Sequence, residues 1–162
     1  MNVLCKFTSA VLTAFVMLAV PRLSYAQTPA NQLSLADARK IIEAAQKTAR
    51  EMNLHLSIAV VDARGDLIAV ERMPFANPVT PEFAIGKAMV SAIFGQPSAD
   101  LAQVATSPPI QTLNAASGGR LTFFQGAVPI IRGGAVVGAV GAAGGTSQQD
   151  ETVAKAALAA IS

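Results

Sequence analysis

An α+β fold, with helices packed on an antiparallel sheet, is predicted by three features of this chain. Two β-rich runs flank the turn Ala63-Arg64-Gly65-Asp66, and two more flank Arg132-Gly133-Gly134. Turns that short force antiparallel pairing. Apolar residues recur at helical period before, between and after these hairpins. The resulting order, α-β-β-α-α-β-β-α, groups helices on a sheet and does not alternate them with parallel strands.

Each element has its own signal. Ser34 is a helix N-cap, with Asp37 at capping-box spacing. Leu35, Ala38, Ile41, Ile42, Ala45 and Ala49 then form one apolar stripe, predicting a helix over 35–52 that ends at Asn53. Residues 56–62 read as a strand, Gly65 supplies the positive φ of the turn, and 67–73 returns as the second strand. Residues 74–78 form a loop. Thr80 is expected to cap a second helix, with Pro81 at its first position, running to Phe94 and stopped by Gly95. Ser98 is expected to cap a short turn of helix through Ala105. Residues 107–119, with Pro108, Pro109, Gly118 and Gly119, read as an irregular connection, long enough to cover a ligand or an interface. A short strand is expected over 120–125. Another covers 128–131, with Pro129 placing it at an edge or bulge. The last strand is 135–142 and the final helix 147–161, with Val153, Ala157, Leu158 and Ile161 on one face.

Residues 1–26 read as a cleaved export signal. Lys6 gives the charged start, 7–20 the apolar stretch, and Ser24-Tyr25-Ala26 a small-x-small cleavage site. The apolar stretch is short for a span of ~20 residues, and no second one follows. The expectation is a periplasmic or secreted protein with no membrane span after cleavage. Residues 27–33 form a polar tether and 34–162 a single domain. Lys6 and Arg22 leave with the signal, so the remaining basic residues balance the 10 Asp+Glu. No Lys/Arg cluster with interleaved aromatics remains, which argues against nucleic acid. The single cysteine, Cys5, also lies in the signal, which excludes disulfide and thiolate chemistry from the remainder. A chain with only 14% charged residues and much Ala, Val and Gly is expected to cover apolar surface with further copies of itself, as a homo-oligomer.

The glycine-punctuated C-terminal stretch carries the most information. Gly138, Gly141 and Gly144 remove side chains where another backbone or a ligand comes close. With the first hairpin Val60-Val61-Asp62-x-x-Gly65-x-Leu67 and Arg72-Met73, the middle-helix residues Lys87-Ala88 and Phe94, then Gly119-Arg120, Phe124-x-Gly126-x-x-Pro129, Gly134-x-x-Val137-Gly138-Ala139-x-Gly141 and Gly144-Gly145-x-x-x-Gln149-Asp150-Glu151, it resembles the GlcG/HbpS family, which includes the C-terminal domain of PduO-type proteins. The resemblance spans 34–161. It implies a profilin-like fold, assembly into dimers and larger oligomers, and binding of haem or a related tetrapyrrole in some members. Some members are labelled haem-degrading, and secreted ones resembling HbpS take part in redox or iron sensing. Others sit beside small-acid metabolism. Ala127 stands where a second glycine is common and Val90 where a threonine is common, so no ligand contact carries over at those two positions.

Each candidate site residue has a functional and a structural reading. His55, the only histidine, is an iron ligand or an exposed residue at a helix–strand junction. Met73 is a soft ligand or a core methionine. Gly144, Gly145 and Thr146 open a helix whose amides suit an anion, or they ease a strand-to-helix turn capped by Thr146 or Ser147. Their spacing is not the dinucleotide fingerprint, because no βαβ unit follows. Lys87, Arg120 and Asp150 form a ligand-binding trio, extended by Glu71 and Arg72, or these charges belong to an internal or intersubunit ion pair. Asp62 and Asp66 are explained by turn chemistry, and no catalytic triad is present. Three functions are compatible with the sequence. The chain binds haem or a related tetrapyrrole. Alternatively, it is an enzyme acting on a small carboxylate at a subunit interface, with Lys87 or Asp150 as acid/base and Arg120 as clamp. Alternatively, it is a structural or signalling partner with no ligand.

Overall fold

The computed structural model describes residues 32–161. The expected signal (1–26) and most of the tether lie outside the described residues. Four helices and two short 3₁₀ turns surround one sheet: α1 (Leu35–Glu51), β1 (Ser57–Asp62), β2 (Leu67–Arg72), α2 (Thr80–Phe94), α3 (Pro108–Ala116), β3 (Ala127–Arg132), β4 (Ala135–Ala143) and α4 (Ser147–Ala157). The strands lie in the order β2-β1-β4-β3, antiparallel throughout. The predicted class and element order hold.

β1 and β4 are nearly all apolar because both of their faces are covered. Ile58, Val60, Val140 and Ala142 join the cluster formed by α1 and α4. The alternate residues Val61 and Ala139 meet α2 instead. That second face is lined with small residues, so α2 sits very close. A side chain on Gly141 would lie 2.9 Å from the Ala88 amide. The apolar stripe of α1 is buried as its period predicts, and each fully buried Ile, such as Ile41 or Ile42, contributes roughly 1.5–3 kcal/mol. Ser34 and Asp37 form the expected capping box. Asp37 also lies 3.5 Å from Arg132. The Ser34 amide, and to a lesser degree the Ser34 hydroxyl and Arg132, hold its carboxyl below the ordinary value against the effect of burial.

Four expectations are corrected. Residues 108–116 form α3 and not an irregular loop. Two prolines at a helix start forfeit no hydrogen bond, because those amides have no intrahelical partner. Residues 120–125 form no strand. Leu121 and Phe123 are buried and Phe124 is exposed, so the alternation is present. The Thr122 amide, however, bonds Gly86 of α2 and not a strand. Thr80 is not a cap but the first residue of α2. Its hydroxyl is buried between Ser57 Oγ (2.8 Å) and the Asn77 carbonyl (2.7 Å), while Asn77 Oδ1 accepts the Val79 amide. Ser98 does not cap a helix. Its hydroxyl accepts the Ala127 amide at 2.9 Å and so ties the chain after α2 to β3. Pro129 lies on an edge strand, with a register shift after Ile130.

Candidate functional site

Strand register brings most of the candidate residues to one end of the sheet. Ser57 pairs with both Arg72 and Ala143, so the start of β1 meets the ends of β2 and β4. His55, Arg72 and the Gly144–Thr146 turn therefore share one rim. The turn presses on the strand beside it: a side chain on Gly144, at φ +145, would lie 2.8 Å from the His55 carbonyl oxygen.

His55 is exposed. Its ring meets Phe75 edge-on, with centroids 5.6 Å apart and planes at 80°. No group among the described residues hydrogen-bonds its ring nitrogens. Phe75 is 90% exposed and has φ +68. A bulky residue in the left-handed region is uncommon, and strain of that kind gathers at functional sites. Phe75 carries little signal in the sequence. Its one signal was a lone aromatic after Pro74 in an otherwise small and polar loop. Arg72 is exposed, and one guanidinium nitrogen bonds the Ala76 carbonyl (3.1 Å), which steadies the loop that carries Phe75. Glu71 points away from this group and accepts Gln46 of α1 at 2.8 Å. Met73 is buried in the core under α1 and α4, too deep to meet a ligand at the rim.

Beneath the rim lies an enclosed polar knot. Lys87 Nζ sits 2.7 Å from Asp150 Oδ2 and donates to the Ala142 carbonyl at 3.1 Å. Asp150 Oδ1 accepts the Gly145 amide at 2.9 Å. The two side chains are 6% and 4% exposed. α2, β4 and α4 are thereby joined at one point. Gly126 makes room for it, since a side chain there would stand 2.7 Å from Lys87 Nζ. Thr146 caps α4 and forms a reciprocal pair with Gln149. At the start of α4 the amides of Gly145, Thr146 and Gln149 are thus filled from within the chain, by the side chains of Asp150, Gln149 and Thr146 in turn. Lys87 and Asp150 can meet a solute only if the fold opens.

Arg120 joins neither group. It is exposed, and Nε donates to the Ser117 carbonyl at 3.1 Å. It lines a groove against the first turn of α2. The three charges Lys87, Arg120 and Asp150 therefore divide into a buried pair and one solvent-facing guanidinium. A further charged pair went unremarked in the sequence. Glu151 is buried between Lys155, at 2.6 Å, and Gln125. Burial pushes its carboxyl up, but Lys155 and Gln125 together outweigh that and hold it below the ordinary value of 4.5.

Comparison with known proteins agrees with this architecture. The family model "Haem degrading protein HbpS-like" matches residues 33–159. The chain belongs to the HbpS-like family. It is 34% identical to the protein GlcG of Escherichia coli K12 over 109 residues, 67% of this chain and 79% of GlcG. The crystal structure of HbpS superposes with a TM-score of 0.74 at 30% identity, covering 85% of this chain and 95% of HbpS. The crystal structure of a PduOC–haem complex superposes with a TM-score of 0.71, also at 30% identity, covering 80% of this chain and 95% of that one. The profilin-like fold expected from the resemblance is the fold these relatives share.

Proposed function

We propose that this protein is an exported, self-assembling haem-binding protein. The observation that carries the reading is the His55–Phe75 rim in a chain whose relative PduOC is described in complex with haem. The residues present fit the group. Haem iron accepts imidazole as a ligand, and His55 offers an exposed ring whose nitrogens no described residue engages. Phe75 offers an exposed aromatic surface beside it, suited to an apolar macrocycle. Arg72 keeps guanidinium donors beyond its bond to Ala76, and these suit a propionate. His55 would hold the iron and is the one histidine that can. Bound haem would supply redox-active iron.

One chain does not enclose such a ligand. Phe75, Phe124 (62% exposed) and Ile131 (59%) stand in solvent, and apolar residues this exposed are suited to contacts with neighbouring copies. The export signal read from residues 1–26 supports a periplasmic or secreted location, and among the described residues no helix is long and apolar enough to cross a membrane.

Titration of the purified protein with haemin tests the binding. A saturable Soret change at a fixed haem-to-chain ratio is expected, and featureless, non-saturating absorbance would overturn it. Light scattering should give a mass of at least two chains. N-terminal mass analysis of the exported fraction should begin at Gln27.

A further inference from the structure

The groove beside Arg120 has a volume of about 400 Å³ and is lined by the apolar side chains of Val79, Phe83 and Ile85 together with Glu82 and Thr122. Its one cation is held ready. Nε of Arg120 is anchored on the Ser117 carbonyl. The preceding chain is pinned as well: the Gly119 amide bonds the Asn114 carbonyl at 2.8 Å, and the Leu121 amide bonds Asn114 Oδ1 at 2.9 Å. The segment is pressed onto α2 at Gly86, where a side chain would stand 2.6 Å from the Arg120 carbonyl oxygen. The two terminal nitrogens of Arg120 have no partner among the described residues, and the carboxylate of Glu82 has none either. An immobilised guanidinium fork with free donors, set against an apolar wall, is complementary to a planar carboxylate carried on an apolar body. Glu82 in the same lining limits the charge: a second carboxylate in the groove would meet a like charge.

We infer that this groove is a binding site for a small monocarboxylate with an apolar body, separate from the rim that carries His55. Arg120 forms a bidentate pair with the carboxylate, and Val79, Phe83 and Ile85 cover the body. Dicarboxylates are disfavoured by Glu82.

Benzoate is a suitable probe, followed by amide and side-chain NMR of the purified protein. Saturable shifts should centre on Phe83, Ile85 and Thr122. Affinity should fall ~10-fold or more in Arg120→Gln, consistent with loss of a charge-assisted pair, and Arg120→Lys should recover only part of it. Benzyl alcohol and succinate should bind more weakly than benzoate, and Glu82→Gln should narrow the gap for succinate. His55→Ala should leave benzoate binding unchanged, so a failure of haem binding and a failure of this site are told apart. The inference is overturned by absent saturation, by equal affinity in Arg120→Gln, or by shifts centred on the His55 rim. It is overturned equally if Arg120→Gln weakens haem while benzoate does not bind, because the groove would then serve a carboxylate of the macrocycle.

Discussion

The Lys87–Asp150 knot and the His55–Phe75 rim stand at the same end of the sheet, yet they obey opposite rules. In the knot both charges are nearly sealed, and both carboxylate oxygens of Asp150 are engaged, by Lys87 and by the Gly145 amide. At the rim the imidazole is exposed, no described residue bonds it, and its aromatic neighbour stands in solvent in an unfavourable backbone conformation. Groups that satisfy one another serve the fold, and groups held in place but left unsatisfied are available to a ligand. Charge alone does not separate the two classes, which is why Lys87, Arg120 and Asp150 looked alike in the sequence.

Substitutions in the two regions should therefore have opposite consequences. The largest effect is expected for Lys87→Met, which strands Asp150 in the interior. Breaking one side of a buried pair costs about 3–5 kcal/mol, so the urea midpoint should fall steeply, and an unchanged midpoint would show that the knot is not structural. Gly126→Ala comes next. It combines a positive φ of 138° with a clash against Lys87 Nζ, and about 2 kcal/mol or more of lost stability is expected from strain and displaced packing. Thr146→Ala removes the cap of α4 and should cost about 1 kcal/mol by the same assay.

A smaller effect appears as a pH dependence. The folded carboxyl of Glu151 lies below its ordinary 4.5. A depressed value means that its stabilisation is present above the unfolded value and is lost as pH falls through the folded one. Stability should decline from about pH 4.5 downward, and Glu151→Gln should flatten that part of the profile. An unchanged profile would remove the Lys155 and Gln125 pairing from the account.

Much of this was legible in the chain because short-range chemistry governs it. Ser34 with Asp37, Gly65 in the first turn and Gly95 after α2 act within a few residues, and each does what its type requires. The α3 helix was missed because Pro108, Pro109, Gly118 and Gly119 look like breakers, although all four lie at or beyond its ends. Residues 120–125 were misread because alternation reports two environments and not a strand partner; here α2 supplies the contact that a strand would. Thr80 looked like a cap until the fold set Ser57 against it. The site was harder still. His55 and Gly144 are far apart in the chain, and only the pairing of Ser57 with Ala143 brings them together. No local pattern distinguished Lys87, which is enclosed, from Arg120, which is not.

The central claim is that His55 is free to serve a ligand and the fold does not need it. Haemin titration of His55→Ala, read beside its urea unfolding curve, tests this most directly. The account predicts an unfolding midpoint equal to that of the parent protein, with the saturable Soret change lost. Full, stoichiometric haem binding by a folded His55→Ala protein would contradict it.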